Sequence, residues 1–156
     1  MRIASCELGP LTGHEAGRML LKELYQEATG EDLPEIHVTD RGKPWFPHSP
    51  WHFSISHTPK HAFCVLSRHN VGLDAEELDR KVNLKLAEKI LSSGEKTQFE
   101  AAENKEKALL TFWVLKEAAA KLSGEGLRGY PNHTNFTLED PRVIELDGCI
   151  LAVMEE

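Results

Sequence analysis

A chain of 156 residues is long enough for one domain with a real core and too short for two ordinary ones. Its 40% hydrophobic and 28% charged residues fall in the globular range, and no stretch approaches the roughly 20 apolar residues that span a bilayer. A formal charge of −7 argues against a nucleic-acid binder, which presents a basic face, but leaves room for a phosphate-bearing small ligand in a local basic pocket.

The N-terminus, "MRIASCELGP", has no long apolar run behind its arginine and does not read as a signal peptide, so a cytoplasmic protein is expected. Loose alternation over residues 2–8 predicts a first strand that ends at "GPLTG". Met19, Leu20, Leu21, Leu24, Tyr25 and Ala28 mark an amphipathic helix from Glu15 to Ala28, with Gly30 as its stop. "LPEIHVTDRGKPWFPHSP" gives a short strand and then a loop rich in Gly and Pro. In "WHFSISH", Trp51, Phe53 and Ile55 face one way and His52, Ser54 and Ser56 the other, which predicts a half-buried strand stopped by "HTPK". Two more strands follow in "AFCVLSRHNVGLDAE", around a turn at Arg68–Asn70.

From Asn83 onward the spacing is helical, with breaks near Ser92–Gly94 and in "AAENKEK", so two or three helices are expected. Gly124, Gly126 and Gly129 end the last of them, and "NFTLED", "RVIEL" and "CILAVM" read as closing strands. The fold class is α+β, one domain over residues 1–156 with mostly antiparallel strands.

Cys6, Cys64 and Cys149 are odd in number and far apart, and read as buried reduced thiols. Asp74 and Glu76 share one face of their strand about 6.6 Å apart, a spacing from which two carboxylates can converge on a hard cation or simply stand in solvent. In "ALLTFWVLKEAAAKL", Ala108, Phe112, Leu115, Ala119 and Leu122 form one apolar stripe, and Leu110, Trp113 and Val114 a second. Glu117 and Lys121 continue the second stripe, where a carboxylate needs a partner or a metal to offset its desolvation; a surface ion pair is the plainer account. His48, His52, His57 and His61 have H-x3-H spacing, but their Pro-rich, strand-like setting denies them the helical face that zinc would need. His57, beside Ser56 at a turn, could meet a phosphate as imidazolium or be purely structural.

Four segments occur together in a recognisable order: "GKPWFP" (Gly42–Pro47), "FSISHT" (Phe53–Thr58), "VGLDAEELDR" (Val71–Arg80) and "FWVLKEAAAKLSGEGL" (Phe112–Leu127). In sequence and order they resemble the motifs of the 4′-phosphopantetheinyl transferases of the surfactin-synthetase-activating type. The resemblance implies transfer of phosphopantetheine from coenzyme A to a serine of an acyl or peptidyl carrier protein, with release of adenosine 3′,5′-bisphosphate. It implies Mg²⁺, or Mn²⁺, on Asp74, Glu76 and Glu117. Lys43 would line the adenine–ribose end, Ser56 and His57 would hold the 3′-phosphate, and Lys116 and Lys121 would contact the pyrophosphate. Glu117 is implied as general base and Lys121 as the group that stabilises the leaving charge. The family's fold is two similar halves about a pseudo-twofold, here residues 1 to about 70 and 71 to 156, and the length favours a monomer with a dimer left open.

Two departures stand out. The family's larger members carry a basic helical segment where this chain has "GPLTGHEAG", with only Arg18 or Lys22 nearby to compensate; and Ser54 stands where the family often has Asn. Lys81, Lys85 and Lys89 recur every four residues, which predicts one basic helical face that could dock an acidic carrier protein or simply stand in solvent. The alternatives are a metal-dependent phosphodiesterase or pyrophosphatase acting on a nucleotide, and a non-catalytic module that binds coenzyme A or a carrier. No nucleic acid and no membrane is expected as a partner.

Overall fold

Two three-stranded antiparallel sheets organise the computed structural model, which describes residues 1–126 and 133–156. The expected stop at Gly129 and the motif end at Leu127 lie outside the described residues. The first sheet holds β1 (Arg2–Glu7), β4 (His52–His57) and β5 (His61–Ser67), in the order β1-β5-β4. The second holds β6 (Val71–Glu77), β7 (Val143–Leu146) and β8 (Cys149–Glu155), in the order β6-β8-β7. A short ribbon, β2 (His37–Val38) with β3 (Pro44–Trp45), carries the "GKP" turn. The α+β class with antiparallel strands is what the alternation and helical spacing predicted.

Each sheet has its own helix. Helix α1 (Gly13–Thr29) starts at a capping box between Thr12 and Glu15 and stops at Gly30, whose left-handed backbone (φ 74°) suits a residue without Cβ. Its Leu20, Leu21, Leu24 and Tyr25 pack with Phe53 and Leu66 of the first sheet. Helix α4 (Lys105–Ser123) lays Leu110, Val114, Leu115 and Ala118 on Ile150, Ala152 and Met154 of β8. Between the sheets, Phe63 and Val65 of β5 meet Leu73 of β6 and Leu151 of β8. Each such fully buried side chain contributes about 1.5–3 kcal/mol. No described helix is long and apolar enough to cross a membrane.

The sheets are joined where β4 runs beside β6. Ser54 Oγ accepts from the Leu73 amide at 3.0 Å, and Ser56 Oγ from the Ala75 amide at 3.1 Å. Two hydroxyls at i and i+2 thus take the place of a backbone ladder and satisfy amides that would otherwise be buried unpaired. This corrects the half-buried strand expected for "WHFSISH": Ser54 and Ser56 are buried too, at 7% and 5% exposure, because their face covers β6. Where α4 crosses β6, Gly72 allows the contact, since a Cβ there would stand 2.2 Å from the Ala118 carbonyl oxygen and 2.5 Å from the Leu122 nitrogen. Gly72→Ala is therefore expected to cost about 3 kcal/mol by overpacking two backbones that cannot rotate away. Urea unfolding checks this, and a loss within 0.5 kcal/mol of zero, the usual range of a surface change, would mean that strand and helix are not in such contact.

Three helical pieces follow β6: α2 (Ala87–Ile90), entered by a 3-10 turn at Leu84–Leu86, then α3 (Ser93–Ala101) and α4. Ser92 and Asn104, in the predicted breaks, are the N-caps of α3 and α4. Several expectations need correction. "NFTLED" is not a strand, because its backbone bonds to α3 side chains: Glu95 accepts from the Phe136 amide, while Gln98 donates through Nε2 to the Phe136 carbonyl and accepts at Oε1 from the Leu138 amide. Lys81 precedes the helical turns and only Lys89 lies in α2, so Lys81, Lys85 and Lys89 do not form one helical face. Trp113 is half-buried beside Arg80 in a surface groove rather than enclosed. Cys6 is partly exposed, whereas Cys64 and Cys149 are buried.

Candidate active site

The contact between α4 and β6 brings two pairs of charged residues together. Strand β6 contributes Asp74 and Glu76, and α4 contributes Glu117 and Lys121, one helical turn apart. Lys121 Nζ donates to Asp74 Oδ1 at 3.2 Å and to the Ile55 carbonyl at 3.3 Å, bridging from the helix to β4. Ser56 Oγ donates to the same Asp74 oxygen at 3.3 Å. Alongside lies a cavity of about 270 Å³ whose lining includes Lys43, Phe53, Ile55, Glu117 and Lys121. Lys43 reaches it from the β2–β3 ribbon, held by Asn70 Oδ1 at 2.7 Å and the Leu122 carbonyl at 2.9 Å.

Burial dominates the electrostatics. It pushes the Asp74 carboxyl up to about 6; the Lys121 ammonium opposes this, while the charges of Glu117 and Glu76 add to it. Burial likewise raises Glu117, with Lys121 opposing and Glu76 adding. Lys43 is lowered, chiefly by burial. Asp74, Glu76 and Glu117 thus share one neighbourhood with Lys121 and Arg80, and a dication would relieve the repulsion among the acids that the two cations leave; such clusters tend to mark functional sites.

The donor set suits magnesium. Asp74 Oδ2 is buried without a hydrogen-bond partner among the described residues, and a buried carboxylate oxygen left so is costly unless a cation takes it up. Carboxylate oxygens are the ligands Mg²⁺ prefers, and it keeps several waters rather than demanding a full protein cage. The cage here is open, because Glu76 is drawn aside by Arg80, whose Nη1 lies 2.6 Å from its carboxylate. Among the described residues, the three-member cluster with ligand atoms within 4.8 Å of one another is a different one, His61, Glu77 and Cys149.

The remaining expected residues stand apart. Ser56 and His57 are consecutive on a strand and so point oppositely: Ser56 inward to Asp74, and His57 outward against Gly13 at the start of α1. Lys116 is turned away by one 100° helical step and does not join the cavity. Its fully buried ammonium lies 2.7 Å from Glu95 Oε1 and also donates to Thr134. Glu95, also fully buried, takes further bonds from the Ser92 and Phe136 amides and from Thr134. Burial alone would raise the Glu95 carboxyl, but the donors Lys116, Ser92, Phe136 and Thr134 hold it below the usual range. This pair fastens α3, α4 and residues 134–136 together behind the site. Sequence reasoning missed Glu95, although its place three residues after Ser92 is a capping-box signal.

Comparison with known proteins matches residues 70–148 to the 4′-phosphopantetheinyl transferase superfamily. The chain is 32% identical over 124 residues to the 4′-phosphopantetheinyl transferase gsp of Aneurinibacillus migulanus, covering 69% of this chain and 52% of that protein. It is 28% identical over 116 residues to the 4′-phosphopantetheinyl transferase psf-1 of Bacillus pumilus, covering 71% of this chain and 49% of that one. The chain thus spans about half the length of these curated relatives.

Proposed function

Because the chain belongs to the 4′-phosphopantetheinyl transferase superfamily, we propose that it moves the 4′-phosphopantetheine group from coenzyme A to a serine hydroxyl of an apo acyl or peptidyl carrier protein, releasing adenosine 3′,5′-bisphosphate. The observation that carries this is the contact of Asp74, with its unpartnered oxygen, to Lys121, which together with Glu117 lines the cavity that Lys43 also enters. Asp74 and Glu76, with Glu117, are the residues that would hold Mg²⁺ or Mn²⁺. When bound, the metal supplies neutralising charge to the pyrophosphate as its P–O bond breaks.

The chain's own groups do the rest. Lys43 and Lys121 give the cavity local positive charge despite the overall −7, enough to orient a pyrophosphate-bearing ligand. Lys121 can stay near the leaving oxygen and stabilise its charge. Glu117, raised by burial, can take the serine proton as the hydroxyl oxygen bonds to phosphorus. His57, outward at the start of α1, can meet the 3′-phosphate with help from the helix N-terminus. Ser56 serves as the inward support of Asp74.

We read residues 1–156 as one domain of two related halves, about 1–70 and 71–156, turned about a pseudo-twofold. Leaving aside the β2–β3 ribbon and the pieces α2 and α3, both halves run strand, helix, strand, strand, and both sheets put their first strand at an edge and their last in the middle, which supports the reading. All four charged side chains come from one chain, so a monomer suffices. The test is the intact mass of an apo carrier protein after incubation with this chain, coenzyme A and Mg²⁺, with an EDTA control. The expected result is a gain of one phosphopantetheine group that EDTA prevents. Consumption of coenzyme A without that gain would instead indicate hydrolysis.

A further inference from the structure

At the far end of β6, on the face opposite Glu76, three potential ligands from separate strands meet. Glu77 ends β6, Cys149 faces it across the ladder as the first residue of β8, and His61 opens β5. His61 Nδ1 lies 2.7 Å from Glu77 Oε1 and 3.6 Å from Cys149 Sγ. The side chains of His61 and Glu77 are 14% and 10% exposed, and Cys149 is fully buried. This is neither the H-x3-H pairing of the sequence nor part of the cavity at Asp74. The geometry points to a second metal site, taking a borderline transition-metal dication of the zinc class on His61, Glu77 and Cys149, with an open fourth position.

Three observations carry it. The first is distance. Zn–N of about 2.0–2.1 Å and Zn–S of about 2.3 Å at a tetrahedral angle put nitrogen and sulfur about 3.6 Å apart, the separation found here. The Glu77 oxygen needs to open from 2.7 Å to about 3.3 Å, a small rotation of one side chain.

The second is support around the ligands. Thr58 Oγ1 donates to Glu77 Oε1 at 2.6 Å and is itself fixed by the Lys60 and His61 amides, so a tight turn aims the carboxylate as outer-shell partners of metal ligands do. The third is charge. One dication with one thiolate, one carboxylate and one neutral imidazole is a net neutral set, which lowers the cost of burying it.

Binding is balanced simply. The Cys149 proton leaves to solvent, and the imidazole carries its N–H on Nε2 while Nδ1 ligates. A surface depression bounded by Glu7, Pro59, Lys60 and His61 lies at the His61 edge of the cluster. The mixed S, N and O set selects zinc or cobalt over magnesium.

Cobalt(II) is the probe, added to the full chain carrying Asp74→Asn so that the other carboxylate site is weakened. The expected result is a near-ultraviolet thiolate-to-cobalt band with the visible absorption of tetrahedral cobalt, saturating at one equivalent and displaced by zinc. Cys149→Ser and His61→Gln should both abolish it, and Cys6→Ser should leave it. Circular dichroism reports whether each variant is folded, and His61→Gln, at the partly exposed position, decides if Cys149→Ser is not. Absence of the thiolate band in the folded chain, or its persistence in a folded His61→Gln or Cys149→Ser variant, would overturn the site.

Discussion

Asp74→Asn is expected to lower the proposed transfer by at least about 100-fold while leaving the chain folded, the scale seen when one preorganised electrostatic group is removed from a reacting site. The substitution keeps volume and shape but removes the charge that binds a dication and that Lys121 and Ser56 orient. The same residue makes a separate stability prediction for the metal-free protein. Its carboxyl titrates at about 6 when folded against an ordinary 3.8, so between those values the folded chain keeps a proton that the unfolded chain has lost. The stability from this group is fully present below about pH 4 and is lost as pH rises through about 6, a change of about 3 kcal/mol. In EDTA, the parent should therefore lose about 3 kcal/mol relative to Asp74→Asn between pH 4 and pH 7. An unchanged difference across that range would show that Asp74 is not buried as described. A site that costs stability when empty and works when charged fits a trade of stability for function.

Lys116→Met with Glu95 retained is expected to destabilise the fold by about 3–5 kcal/mol at neutral pH, because it strands a buried carboxylate. The double variant Lys116→Met with Glu95→Gln should recover part of the loss, since Gln at position 95 carries no charge and its single carbonyl oxygen can still accept from one of the two amides, Ser92 or Phe136. Denaturant midpoints of the parent, single and double variants check this. Equal losses in single and double variants would mean that side-chain volume, not the stranded charge, sets the cost.

Much of the fold was legible because its signals are local. Gly30 and Gly124 mark helix ends, the break at Ser92 marks a start, and the strands of the first sheet lie where they were read, although "WHFSISH" is buried on both faces. The meeting of Asp74 with Lys121 was implied by motif order, but the means of it was not. Gly72 and the hydroxyls of Ser54 and Ser56 act only once β6 lies between β4 and α4, and nothing in the spacing of the sequence says so. Lys116 shows the converse: it belongs to the motif by sequence, yet its partner Glu95 lies on another helix, and a buried carboxylate decides which way the lysine turns. His61, Glu77 and Cys149 were invisible for the same reason, being brought together only by the ladder between β6 and β8 and by the start of β5.

The most direct measurement is titration calorimetry of coenzyme A into the parent chain and into Asp74→Asn, each with and without Mg²⁺. The account predicts that Mg²⁺ tightens binding to the parent and that the tightening is lost in the variant, with the metal-free affinities remaining similar. An equal Mg²⁺ effect in both chains would contradict it, because the ion would then be held somewhere other than at Asp74.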